Sequence, residues 1–173
     1  MADPNALDFL RIPSQTLIAL DWRPYHFALQ PYHFLVRMAH IVSMAAFFGG
    51  IGLLDLRLMG WRGTLPLRPF ADHVLPWLYA TFAIALLSGL ALFFYDPVHV
   101  GSHAYFSLKL ILTALGLGNA ALFRRIGYGT TLATEGPVSR HARLVGIVSL
   151  ALWTGVVVCA CLNVEAAPKV LLR

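Results

Sequence analysis

Charge is what this sequence has least of. Asp, Glu, Lys and Arg make up only 12% of its 173 residues, about half the share found in an ordinary globular domain. With 58% hydrophobic residues and a mean hydropathy of +0.71, that shortage excludes a soluble single-domain enzyme and a disordered tail. Cysteine is nearly absent too. Cys159 and Cys161 are its two occurrences, too few for the disulfide framework of a small secreted module. No nucleophile–base triad, glycine-rich phosphate loop, metalloprotease helix motif or pair of catalytic carboxylates is present, so any chemistry has to come from a cofactor.

What the chain has instead is long apolar runs, and these point to an integral membrane protein. About 20 predominantly apolar residues in a helix cross roughly 30 Å of hydrocarbon. Leu144 to Val164 and Val74 to Tyr95 contain no charge, Ala104 to Phe123 only Lys109, and Phe34 to Leu54 only Arg37. Backbone groups in lipid must bond within their own segment, so all four runs are read as helices. The expected fold is all-α: a four-helix up-down-up-down bundle over residues 31–165, with helices at about 33–58, 69–95, 102–124 and 139–163. A short outer tail, residues 166–173, follows it.

The basic residues set the orientation. Arg57, Arg62 and Arg68 separate the first two spans, and Arg124, Arg125, Arg140 and Arg143 the last two, whereas Asp96 to Ser102 has neither Lys nor Arg. By the positive-inside bias both arginine-bearing loops are cytoplasmic, which puts both termini on the periplasmic side of a bacterial inner membrane. The net charge of +5 is therefore topology, and nucleic acid is not a partner. Residues 1–30 lack the pattern of a signal peptide. They mix Phe9, Leu10, Leu17, Ile18, Leu20, Trp22 and Tyr25 with Asp3, Asp8, Arg11 and Asp21, as an interfacial amphipathic segment on the outer face would.

The seven histidines carry the functional reading. His33 and His40 begin span one, His73 leads span two, His103 span three and His141 span four. Helices one and three of such a bundle are diagonal neighbours, as are two and four. An outer pair, His40 with His103, and an inner pair, His73 with His141, would suit two stacked b-type haems, since a six-coordinate iron takes an imidazole from each side of a flat ring. His33 is the alternative outer ligand. His40 is favoured because it lies within the apolar run, where an unpaired imidazole is costly. Arg37 shares the face of His33 and His40 and would neutralise a propionate. Lys109 is an intramembrane charge in need of a partner, with a propionate among the candidates. Asp55 and Arg57 end span one as anchors of the first loop.

On this reading the chain is a membrane b-type cytochrome-like electron carrier or subunit. Its partners would be the lipid bilayer, a membrane or periplasmic redox protein, and quinone. A non-catalytic anchor of a larger complex is the alternative. Copper handling is another, because His40 and Met44 share a helix face with soft sulfur nearby; Cys159 and Cys161, two apart, do not face the same way.

His40, Gly49-Gly50 and the run Asp55-Leu56-Arg57-Leu58-Met59-Gly60 resemble the pattern of a family of small four-span bacterial membrane proteins of unknown function. The likeness continues through Leu75-Pro76-Trp77, Ser88-Gly89, Phe106 with Lys109, Asn119 with Phe123, and Ser149 to Trp153. It implies a fold and a site location, but no reaction. The end of span four departs from that pattern with Cys159-Ala160-Cys161. More distantly, the layout is similar to the cytochrome b561 type and to CopD-like copper-transport proteins, which correspond to the haem and copper readings.

Overall fold

A computed structural model of the chain describes residues 7–61, 66–126 and 138–165, and all regular structure among them is helical. After a 3-10 turn at Asp8–Leu10 come α1 (Ser14–Leu20) and α2 (Arg23–Leu29), then a second 3-10 turn, Gln30–Tyr32. The long helices are α3 (His33–Leu58), α4 (Leu67–Tyr95), α6 (Ala104–Ile126) and α7 (Arg140–Glu165), with the short α5 (Pro97–Gly101) between α4 and α6. The four long helices are each long and apolar enough to cross a membrane. The tail expected at residues 166–173 and the first six residues lie outside those described.

Local chemistry sets the breaks. Pro24 and Pro97 stand in the first turns of α2 and α5, where a missing N–H costs nothing. The Asp96 carboxylate accepts from the His99 backbone N–H at 3.1 Å and caps α5. Ser139 Oγ likewise accepts from the Ala142 N–H at 3.2 Å at the start of α7. Past the end of α3, Gly60 turns the chain with φ of +101°, a conformation that costs other residues strain.

Helix α3 packs on α4, α6 packs on α7, and α3 against α7 joins the two pairs. Residue numbers rise along one helix as they fall along its neighbour. His40 lies beside Ala85, Phe47 beside Phe82 and Gly50 beside Leu78, while Leu112 lies beside Gly155 and Gly116 beside Trp153. The core forms around Phe47, Leu54, Ala71, Leu78, Trp153 and Val156. Small residues permit the close approaches: a Cβ at Gly50 would stand 2.9 Å from Leu78, and one at Gly116 3.1 Å from Trp153. That is the usual role of glycine between membrane helices. Outward positions remain apolar, among them Ile41, Val42, Leu87 and Leu144, a surface suited to lipid.

The two ends of the bundle differ. At the Asp96 end the chain before α3 folds back onto the helices. Leu17 of α1 is buried against α5, so tightly that a Cβ at Gly101 would come within 2.6 Å of it. Tyr25 donates to the Ala91 carbonyl at 3.2 Å, and the rings of His26 and His33 both stack on Tyr95 with centroids 4.2 Å away. Ile18, Trp22 and Phe27 stay exposed beside this docked face. At the Arg57 end, Asp55, Arg57 and Leu58 are buried near the last turn of α3.

Candidate functional site

The histidines do not assemble as the sequence suggests. His73 is exposed, and its Nδ1 lies 2.8 Å from the Pro69 carbonyl of its own helix. The residue of that helix that enters the core is Ala71, at 1% exposure. Two positions are about 200° round a helix, so His73 points away from the interior. His141 is exposed as well, and its neighbour Ala142 holds the buried face of α7. That each stands at the head of its span is legible in the sequence; its direction round the helix is not.

His40 is half-buried and turned toward α4, the sequence neighbour of α3, instead of its diagonal partner α6. Its Nδ1 lies 2.9 Å from the Ala85 carbonyl and 3.1 Å from Ser88 Oγ. The ring occupies the space left by Gly89, where a Cβ would approach its Cε1 to 2.9 Å. His103 sits edge-to-face with His99, centroids 6.2 Å apart. Arg37 is exposed and lines a surface groove with His33, Met38 and Ile41, which His40 does not share. The Lys109 ammonium lies 5.0 Å from the centre of the Phe106 ring, within electrostatic reach of His40 and Cys159.

These placements do not fit a pair of bis-imidazole haems. The inner ligands lie on outward faces, and the outer ones are engaged with different neighbours. Among the described residues no group of three or more His, Cys, Asp or Glu side chains is arranged to hold a metal ion. For copper, Cys159 is buried and Cys161 exposed, while Met44 packs on the apolar core. The thiols therefore do not converge with His40 on one site.

What the bundle does contain is a cavity of about 310 Å³ in its Arg57-end half. All four long helices line it, through residues including Phe47, Leu54, Leu75, Phe82, Phe123 and Trp153. It exists because α4 and α6 do not close on each other along this stretch. They meet beyond it, where Phe93 stacks on Phe106 at 5.2 Å, and at its rim, where Arg124 reaches the Tyr79 hydroxyl at 3.5 Å. Exposed Tyr79, Leu117 and Arg124 border the opening. At the inner end of the walls Phe47 and Phe82 both stand against Trp153, with centroids 4.7 and 6.1 Å from it.

Polar groups converge on this apolar space from three helices. Asp55 of α3 lines it at only 2% exposure. Gly146 lets α7 approach here, since a Cβ at that position would stand 2.9 Å from the Asp55 carbonyl oxygen. One turn further along α7, the Ser149 side chain hydrogen-bonds to the Asp55 carboxyl. Carboxyl oxygen Oδ2 has no hydrogen-bond partner among the described residues. Asn119 also lines the cavity, and its amide donates to the Val145 carbonyl at 3.2 Å.

A concave space of this size, mostly apolar with a few convergent polar groups, is the usual form of a small-molecule site. The sequence reading assigned Asp55 to anchoring a loop. The signal available was an acidic side chain inside the last turn of a membrane helix, which by its cost alone marks a candidate site. The chain matches no family model, no curated protein and no solved structure.

Proposed function

We propose that the chain is an up-down-up-down four-helix protein of a bacterial inner membrane, with both termini periplasmic, that binds a lipid-soluble small molecule taken up sideways from the bilayer. The observation that carries this reading is the cavity of about 310 Å³ between α4 and α6. Its opening lies between α4 and α6, where Leu117 and Ala120 are exposed, so a solute dissolved in lipid reaches it without crossing water. The antiparallel contacts of α3 with α4 and of α6 with α7 support the alternating topology, and the arginine loops support the orientation.

Electron transfer through paired haems is not carried into this reading, because His73 and His141 are exposed and neither lines the cavity. Binding of a lipophile uses the residues that are assembled: the aromatic walls around Trp153 and the polar group of Asp55, Ser149 and Asn119. Apolar burial would supply affinity, and the few polar groups would orient the head of the molecule.

The experiment is organic extraction and mass spectrometry of protein purified in mild detergent, beside the variant Ala120→Phe. Ala120 lines the cavity and is exposed at its mouth, so the larger ring narrows the opening without entering the core. A stoichiometric lipophile retained by the original protein and lost from the variant, at equal helix content and elution volume, is expected. If nothing is retained, and added amphiphiles produce no saturable change in tryptophan fluorescence, the reading fails.

A further inference from the structure

The buried carboxyl of Asp55 narrows the class of ligand, given the reading of the cavity as a lipophile site. A buried polar atom without a hydrogen bond is rare and costly in native proteins. Asp55 is 2% exposed and one of its carboxyl oxygens is satisfied by Ser149, yet Oδ2 has no partner among the described residues. It belongs to a side chain that lines a mostly apolar cavity. The missing partner is a hydrogen-bond donor supplied by whatever fills that space.

Charge and shape restrict that donor further. Arg57 lies two residues along α3 and is also buried, Arg124 stands on the rim, and the Arg143 guanidinium lies 3.6 Å from where a Cβ of Gly60 would be. An ammonium head entering past Arg124 on the rim would meet repulsion there, whereas a neutral hydroxyl would not. The aromatic group of Phe47, Phe82 and Trp153 offers ring edges and faces against which a flat ring packs well. The opening between α4 and α6 leaves an exit for an apolar tail.

We propose that the cavity takes a neutral, ring-bearing amphiphile of the lipid-soluble phenol or hydroquinone class, whose hydroxyl donates to Asp55 Oδ2. The ring rests against Phe47, Phe82 and Trp153, and the tail leaves between α4 and α6. No bond is made or broken. The preference is for a donor head over an acceptor head, so a hydroquinone binds better than the quinone of the same skeleton.

The test is equilibrium binding to the detergent-solubilised full chain under argon, read by tryptophan fluorescence, with decyl hydroquinone, the matching decyl benzoquinone and dodecylamine as probes. The hydroquinone is expected to bind about tenfold more tightly than either other probe, the range of one hydrogen bond to a buried acceptor. Asp55→Asn, which brings a donor of its own, is expected to abolish that preference, and Ala120→Phe to weaken the hydroquinone and the benzoquinone alike. Should Asp55→Asn fail to fold, Ser149→Ala removes the hydroxyl that orients the carboxyl and is expected to reduce the preference severalfold. Equal binding of hydroquinone and benzoquinone, both weakened by Ala120→Phe, would overturn the assignment to Asp55 while leaving the cavity a lipophile site. Tightest binding of the amine would overturn it in favour of a cation. No saturable binding of any probe would overturn the assignment together with the cavity reading.

Discussion

The imidazole of His40 fills the place that a side chain at Gly89 would take, with Cε1 2.9 Å from the position of a Cβ there. The ring cannot simply swing aside, because its Nδ1 is held at 2.9 Å from the Ala85 carbonyl and 3.1 Å from Ser88 Oγ. Gly89→Ala is therefore expected to destabilise the bundle by about 1–3 kcal/mol, the usual cost of overpacking a well-filled interface. Adding His40→Ala should recover much of that loss, since the clash is with the ring itself. A double-mutant cycle of thermal unfolding in detergent measures the coupling, and strictly additive effects would contradict the contact.

His73 and His141 make the opposite prediction. Both are exposed, and the one hydrogen bond described for the His73 ring is local, to Pro69 four residues back. Replacing either by Ala should shift stability by no more than about 0.5 kcal/mol, as at other surface positions. The visible absorbance of the reduced protein should be the same before and after each change. A haem held between the two would lose an axial ligand and an absorbance band with either substitution.

The contrast between His40 and His73 shows what the sequence could and could not say. Length and lack of charge identified the four long helices, because only a helix can carry some 20 apolar residues through lipid with its backbone satisfied. Direction round the helix did not follow, because residues facing lipid are as apolar as residues facing the core and leave no polar stripe to mark the outside. His73 stands only two residues from the buried Ala71 and His141 only one from the buried Ala142, yet both face away. The cavity was invisible for a related reason. It arises from the failure of α4 and α6 to close on each other, a property of no single segment. Asp55 was legible as a charge at a helix end, but its tie to Ser149 depends on Gly146 bringing α7 close, a contact 91 residues away along the chain.

Leu17 holds the segment before α3 to the bundle. It is 1% exposed, while Ile18 and Trp22 beside it are exposed, so most of the docking of α1 rests on this one side chain against Gly101. Leu17→Ala should cost a few kcal/mol of local stability, as for other buried leucines (~2–5 kcal/mol). The loss should fall on docking of α1 and leave the four long helices intact, because α1 packs chiefly on the short α5 and such local units open separately. Limited trypsin digestion reads this directly. Cleavage after Arg11 is expected to accelerate in the variant, whereas Arg23 is protected by the Pro24 that follows it. An unchanged cleavage rate with lower overall thermal stability would mean that Leu17 supports the bundle as a whole.

Orientation in the membrane is testable through the exposed positions at the two ends. Val98 lies in the segment between α4 and α6 that has no Lys or Arg, and His141 lies beside the arginines that open α7; both are exposed. The positive-inside bias places Val98 outside and His141 in the cytoplasm. In a background with Cys159 and Cys161 replaced by Ser, Val98→Cys in intact bacterial cells with a permeable outer membrane should react with a membrane-impermeant maleimide. His141→Cys should react only after the inner membrane is opened. The reverse pattern would invert the bundle and put the arginine-rimmed mouth of the cavity on the periplasmic side. The bias would then have been overridden, and the lipophile would enter from the opposite leaflet.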